Sequence, residues 1–305
     1  MSDRDGKDHD KRSRNRRNYR GDTRNGPERT LIIIGGHEDK RGDMIILKEV
    51  VRQVGDGKLV VTTVASHEPE GSFEEYERVF CGLGVGEVAL LEIQNRGQAM
   101  SDEAVRVLEA ADCLFFTGGD QLRITSQIGD TPVFQLLRKR YEEGAVMAGT
   151  SAGASVMCET MLVSGAGDES HRLGDTLKMA PGLGLIPGVI IDQHFAERGR
   201  MGRLLSAVAQ NPRMLGIGID ENTAIVVRDE MEFRVIGSGS VYVVDGSQVS
   251  ASNIAEGQDD STLSLYDVRL HVLTSGDSFD LTKRRPRGGE QETPTPFTEP
   301  VTTGK

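Results

Sequence analysis

The chain has 305 residues, with 36 Lys+Arg against 47 Asp+Glu, 37% hydrophobic residues, 5% aromatic, no tryptophan and 37 glycines. Its length allows a substantial core, and 27% charged residues exclude a collagen, a mucin-like stalk and a wholly disordered chain. Apolar runs such as Leu31-Ile32-Ile33-Ile34 are too short to cross a bilayer, and the three separated cysteines Cys81, Cys113 and Cys158 suit a reducing interior better than a disulfide framework or zinc cluster.

Residues 1–29 carry ten Lys/Arg and six Asp/Glu within a net charge of −11 for the whole chain, and contain no Leu, Ile, Val or Phe. They read as a disordered basic tail, and residues 285–305, rich in Pro, Thr and Glu, as a second tail. The first tail has neither the apolar stretch of a secretory signal nor the acid-poor composition of a transit peptide, so a cytoplasmic location is the default expectation.

Between the tails, at 30–284, strand and helix patterns alternate. Leu31–Ile34 reads as a buried strand closed by Gly35-Gly36, and Asp43–Val54 as a helix with Ile46, Val50 and Val54 on one face. Leu59–Ala65 and Val88–Ile93 read as strands, Glu74–Leu83 and Asp102–Ala111 as helices. Cys113–Phe116 is a strand ending in Thr117-Gly118-Gly119-Asp120. Thr131-Pro132 starts a helix that Gly144 ends before the strand Ala145–Ala148. The pattern predicts an α/β fold, a mostly parallel sheet flanked by helices, with its chemistry beyond the carboxyl ends of the strands. The segments Ala224–Val227, Phe233–Ile236, Val241–Val244 and Leu265–Val272 form a β-rich C-terminal extension, expected to continue the same sheet in a single domain.

Gly149-Thr150-Ser151-Ala152-Gly153 carries the strongest chemical signal. A G-x-S-x-G between a buried strand and an apparent helical run, Ala154–Met161, is the context of a nucleophile elbow, which lifts a serine hydroxyl above the sheet. A serine nucleophile needs a base. His194, after Val189-Ile190-Ile191 and Asp192-Gln193, stands at an expected strand end, while His171 in the polar stretch 164–175 and His37 after the first glycine turn are competitors. Two sources of an orienting carboxylate stay open, the Asp220-Glu221 pair and Asp192, which shares the strand face of His194. The first source gives the chain order serine, histidine, acid, unlike the α/β-hydrolases.

The ordered segments Ile34–Lys40, Thr117–Gln121, Gly149–Ala154, Asp192–Phe195 and Gly218–Ala224 resemble the cyanophycinases, a family of peptidase E-like serine peptidases, over roughly residues 30–280. The resemblance implies a flavodoxin-like fold shared with class I glutamine amidotransferases, and a homodimer. It also implies exopeptidase action on cyanophycin, a polyaspartate carrying arginine on each β-carboxylate, with release of β-aspartyl-arginine dipeptides. The implied roles are Ser151 as nucleophile, His194 as base and Glu221 as acid, with substrate contacts at Gln121, Asp192, Gln193 and the arginines Arg198, Arg200 and Arg203. His37 departs from that family's usual small residue in this turn. In the mechanism so implied, backbone N–H groups of Ala152 and of the Gly118-Gly119 turn hold the oxyanion, and neither metal nor organic cofactor is required.

The three arginines suit carboxylates, which guanidinium groups grip bidentately, though a salt-bridged helix face would look the same. An acidic body steers substrate arginines and opposes a nucleic-acid partner. The rival readings are an aspartyl dipeptidase like peptidase E and a catalytically silent polymer-binding module.

Overall fold

The buried residues Thr30–Ile34 form β1, in a computed structural model that describes residues 26–164, 177–255 and 261–287. Most of both expected tails lies outside these residues, as does His171. After β1 come α1 (Ile45–Val54), β2 (Lys58–Thr62), α2 (Pro69–Gly82), β3 (Glu87–Leu91), α3 (Arg96–Ala99), α4 (Asp102–Glu109), β4 (Cys113–Phe116), α5 (Gln121–Ile128), α6 (Pro132–Glu142) and β5 (Val146–Thr150). There follow α7 (Ala152–Ser155), β6 (Thr160–Ser164), β7 (Lys178–Pro181), β8 (Val189–Gln193), α8 (Met201–Gln210) and β9 (Leu215–Ile219). The last described elements are β10 (Thr223–Arg228), β11 (Glu232–Gly237), β12 (Val241–Asp245), β13 (Ala251–Ser252), β14 (Leu265–Tyr266), β15 (Arg269–Leu273), β16 (Ser278–Asp280) and β17 (Arg285–Arg287).

Local chemistry sets the helix starts. Ser101 caps α4 by accepting from Ala104 N–H, Asp120 caps α5 through Leu122 N–H, and Thr131 caps α6 with Pro132 at the first helical position. The main sheet runs β17-β16-β11-β10-β1-β5-β4-β2-β3. Its members β1, β5, β4, β2 and β3 are mutually parallel, and β10, β11, β16 and β17 add an antiparallel flank. Taken alone, β2 to β5 have the flavodoxin order, with β1 in the fifth place.

Both faces of the sheet are covered. Ile46, Leu47 and Val50 of α1 and Tyr76 and Phe80 of α2 pack on Ile32, Ile34 and Phe115. On the other face Ile124, Val133 and Leu137 pack on Leu31, Ile33 and Phe116. Each such buried Leu, Ile or Phe contributes about 1.5–3 kcal/mol by leaving water.

Four expectations need correction. Only β10, β11, β16 and β17 extend the main sheet; β12 and β15 join β9 and β8 in a second sheet, ordered β15-β12-β9-β8. The run Leu265–Val272 is broken by Asp267, whose φ of 60° ends the β14 pairing before β15 begins. The helical run expected over Ala154–Met161 is one turn, because Leu183, Leu185 and Gly184 N–H groups take the carbonyls of Val156, Met157 and Cys158 that a longer helix would use. The strand β17 also reaches three residues into the segment read as the second tail, pairing with β16.

Strands β8 and β9 are parallel, and the N–H of His194 donates to Gly35 O at 2.8 Å. That bond ties the carboxyl end of β8 to that of β1. The ends of β1, β4, β5, β8 and β9 thereby meet in one place.

Candidate active site

Ser151 leaves β5 with φ 53° and ψ −109°, a conformation that costs a non-glycine residue on the order of 1–3 kcal/mol. The turn is tight enough to need glycine on both sides. A Cβ on Gly149 would fall 2.5 Å from the carbonyl oxygen of Gly153, and one on Gly153 would fall 2.4 Å from that of Phe116. The N–H of Ser151 is held by Ile34 O at 3.0 Å. Beneath the turn, Thr150 Oγ1 donates to the buried Glu38 Oε2 at 2.5 Å, and Tyr76 Oη donates to the other carboxylate oxygen. Reading the sequence missed Glu38; its signal was an acid two residues beyond Gly36, at the end of a strand that neighbours β5.

His194 follows β8 with φ 47° and is 3% exposed, so its ring is fixed rather than mobile. Its Nε2 lies 2.9 Å from Ser151 Oγ, and its Nδ1 lies 2.6 Å from Glu221 Oε1. Glu221 sits just past β9, where its N–H donates to Glu197 Oε1 at 3.2 Å. The next residue, Asn222, has φ 47° and donates its N–H to Gly36 O at 2.8 Å, so the first glycine turn anchors Glu221 as well as His194. Burial is the main force lowering the His194 pKa, aided by the positive charge of Arg198 and opposed by Glu221. Burial works to raise the Glu221 carboxyl, but hydrogen bonds from His194 and His37 outweigh it and hold the group below its ordinary value. A neutral imidazole between a hydroxyl and a carboxylate is the arrangement that activates a serine for attack on an acyl carbon.

The competing candidates take other partners. Asp192 is 1% exposed and faces two arginines: Arg200 Nη1 lies 3.1 Å from Oδ1, Arg203 Nε lies 2.9 Å from Oδ2, and Arg203 Nη2 also reaches Oδ1. Burial lowers the Arg200 guanidinium to about 10 despite that partner. Asp192 is therefore not the carboxylate on His194, and two of the three expected arginines are committed inside the protein. Arg198 is exposed, in the turn after His194. His37 Nδ1 lies 2.7 Å from Glu221 Oε2, on the carboxylate oxygen that His194 does not use. His67 is exposed beside Arg123, and His271 packs its ring on Phe279.

The remaining sequence candidates surround the serine at differing distances from it. Ala152 is the first residue of α7, and N–H groups at that position have no acceptor within their helix. Gly118 lies against Ser151, since a Cβ there would be 3.4 Å from Ser151 Cβ; the neighbouring Gly119, with φ 141°, is pressed onto Ala65 O. Because α7 is a single turn, these local N–H groups matter more than a helix dipole. Gln121 Nε2 donates to Leu162 O at 3.0 Å, which ties α5 to β6. Gln193 is 5% exposed, and its Oε1 has no hydrogen-bond partner among the described residues.

The sequence model of peptidase family S51 matches residues 31–235, which include every one of these positions. This chain belongs to peptidase family S51. It is similar to S51-type relatives named cyanophycinase. The one from Nostoc sp. is 42% identical over 257 residues, covering 83% of this chain and 86% of the relative. The one from Geminocystis herdmanii is 38% identical over 263 residues, covering 85% and 96%. The one from Synechococcus elongatus is 39% identical over 254 residues, covering 82% and 79%. Among solved structures, a peptidase from an acI-B1 actinobacterium superposes with a TM-score of 0.61 at 21% identity, covering 84% of this chain and 98% of that one, a likeness of fold. The chain is thus an S51 peptidase, a hydrolase of peptide bonds, and no helix among its described residues is long and apolar enough to cross a membrane.

Proposed function

We propose that this chain is a serine exopeptidase that hydrolyses cyanophycin to β-aspartyl-arginine dipeptides through an acyl-enzyme on Ser151. The observation that carries the reading is the hydrogen-bonded line from Ser151 through His194 to Glu221, in a chain 38–42% identical to proteins named cyanophycinase.

His194 takes the Ser151 proton through Nε2 as Oγ attacks the scissile carbonyl. Glu221 keeps the other proton on Nδ1 and stabilises the imidazolium that forms. The N–H of Ala152, with one from the Gly118-Gly119 turn, receives the oxyanion; loss of one such donor typically costs on the order of 10²–10³ in rate. His194 then gives its proton to the leaving amine, and water, activated by the same base, frees the enzyme.

Each repeat of the substrate presents an arginine α-carboxylate and a guanidinium. Arg198, exposed and close enough to His194 to depress its pKa, is the candidate partner for a substrate carboxylate. Gln193, whose Oε1 has no partner among the described residues, is the candidate acceptor for a substrate N–H. Arg200, itself held by Asp192, donates to Gln193 O and fixes the backbone from which Gln193 projects, with Arg203 on the same carboxylate; Gln121 ties α5 to β6. A homodimer acting in the cytoplasm completes the proposal, and light scattering at twice the 33.2 kDa chain mass tests the dimer. The activity is tested by release of soluble dipeptide from insoluble cyanophycin. Cleavage of short Asp-X dipeptides with none of the polymer would favour an aspartyl dipeptidase instead.

A further inference from the structure

We propose that His37, His194 and Glu221 form a site for a divalent transition-metal ion of the zinc class, and that its occupancy switches peptidase activity off. The switching part rests on the triad reading above; the binding part does not.

One donor atom from each of the three residues falls within 4.8 Å of the other two. Two hydrogen bonds already join these residues. His37 Nδ1 lies 2.7 Å from Glu221 Oε2, and His194 Nδ1 lies 2.6 Å from Oε1 of the same carboxylate. Two imidazole nitrogens and one carboxylate are the donor set of three-ligand zinc sites, which leave a fourth position for water. A tetrahedral ion about 2.0–2.2 Å from each donor needs them roughly 3.3 Å or more apart, over half an ångström beyond these hydrogen-bonding distances. The exposure of the site permits that. The His37 side chain is 72% exposed and Glu221 24%, while His194 is held at 4%. The two rings meet edge to face with centroids 5.1 Å apart, the exposed one beside the buried one. The backbone delivers the groups together, since the N–H of His194 donates to Gly35 O and that of Asn222, next to Glu221, donates to Gly36 O, each at 2.8 Å.

The consequence for chemistry follows from the imidazole tautomer. With Glu221 as its partner, His194 carries its proton on Nδ1 and offers the Nε2 lone pair to Ser151. An ion bound at Nδ1 takes the electron pair that held the Nδ1 proton. The Nδ1–H bond breaks, an Nε2–H bond forms through solvent, and neutral His194 keeps one proton. Nε2 then donates towards Ser151 Oγ and no longer accepts from it. His37 makes the same exchange at its exposed ring, and the Glu221 carboxylate neutralises one of the ion's two charges. No electron changes hands.

The test separates binding from activity. The full-length Ser151→Ala protein, which retains all three ligands, is titrated with cobalt(II) and zinc(II) by calorimetry and, for cobalt, visible absorption. His37→Asn is added to the same background, because asparagine tolerates a left-handed backbone but offers no imidazole. The expected result is one site whose affinity falls at least about tenfold with His37→Asn, together with loss of the four-coordinate cobalt bands. In the serine-containing enzyme, zinc lowers turnover, and His37→Asn, measured against its own metal-free rate, needs at least about tenfold more zinc for the same loss. Equal binding with and without His37, for instance at exposed Cys81, overturns the site. Binding through His37 with undiminished turnover overturns the switch. A protein inactive on every substrate but losing metal with His37→Asn refutes the proposed function and keeps the site.

Discussion

Gly36 and the imidazole of His194 are in direct contact: a Cβ built on Gly36 would lie 2.3 Å from His194 Cε1 and 2.6 Å from Nε2. The imidazole stands in the space that a side chain at this position would fill, and Gly36 has φ 107°, where L-residues are strained. Gly36→Ala is expected to displace the ring and lower kcat/KM by about 10²-fold or more, since misplacement by an ångström costs that much. Steady-state kinetics, with circular dichroism confirming the fold, checks this. Unchanged turnover would mean that the ring position is not what the reaction depends on.

The pH dependence follows from His194. Only its neutral form accepts the Ser151 proton, so kcat/KM is full above the His194 pKa and falls as pH drops through it. Burial and then Arg198 hold that pKa below the ordinary 6.5, which places the acid limb below pH 6.5. Removing Arg198 takes away a positive charge that opposes protonation. Arg198→Ala should move the limb upward and raise KM for a carboxylate-bearing substrate. A limb that stays in place would show that Arg198 does not act on the imidazole.

Asp192 is buried between Arg200 and Arg203, with side chains 1%, 13% and 14% exposed. Asp192→Ala leaves two guanidinium groups without their carboxylate, and breaking a buried pair in this way costs about 3–5 kcal/mol. Urea unfolding should show that loss, and a double-mutant cycle with Arg203→Ala should show non-additivity. A stable variant with a large KM effect would instead make Asp192 a substrate contact.

Glu38 supports the elbow from below. Glu38→Ala strands the buried hydroxyls of Thr150 and Tyr76, each worth about 1–3 kcal/mol when left unpaired. Glu38→Gln keeps one acceptor oxygen and should cost less. The order of their melting temperatures, wild type above glutamine above alanine, is the readout.

Much of this architecture is legible in the residues because their constraints are local. Buried runs such as Leu31–Ile34, the caps Ser101 and Thr131, and glycines at strand ends announce strands, helices and turns by themselves. Ser151 is visible because an elbow needs small neighbours on both sides. The choice of acid is not local: Asp192 and Glu221 both flank strand ends, and only the pairing of β8 with β9 and the capture of Asp192 by Arg200 and Arg203 separates them. Glu38 is hidden for the same reason, since its partners Tyr76 and Thr150 are far away in sequence. The switch of β12 and β15 into a second sheet also escapes, because strand periodicity names a face to bury and not the sheet that buries it.

The central claim is that Ser151 cleaves cyanophycin. Insoluble cyanophycin is incubated with the wild-type protein and, separately, with Ser151→Ala, and the soluble products are identified by mass spectrometry. The account requires β-aspartyl-arginine from the wild type and at least about 10³-fold less from the folded variant. Equal release by both proteins would contradict the nucleophile, and no release by a folded wild-type protein that still reacts with a serine-directed acylating reagent would contradict the substrate.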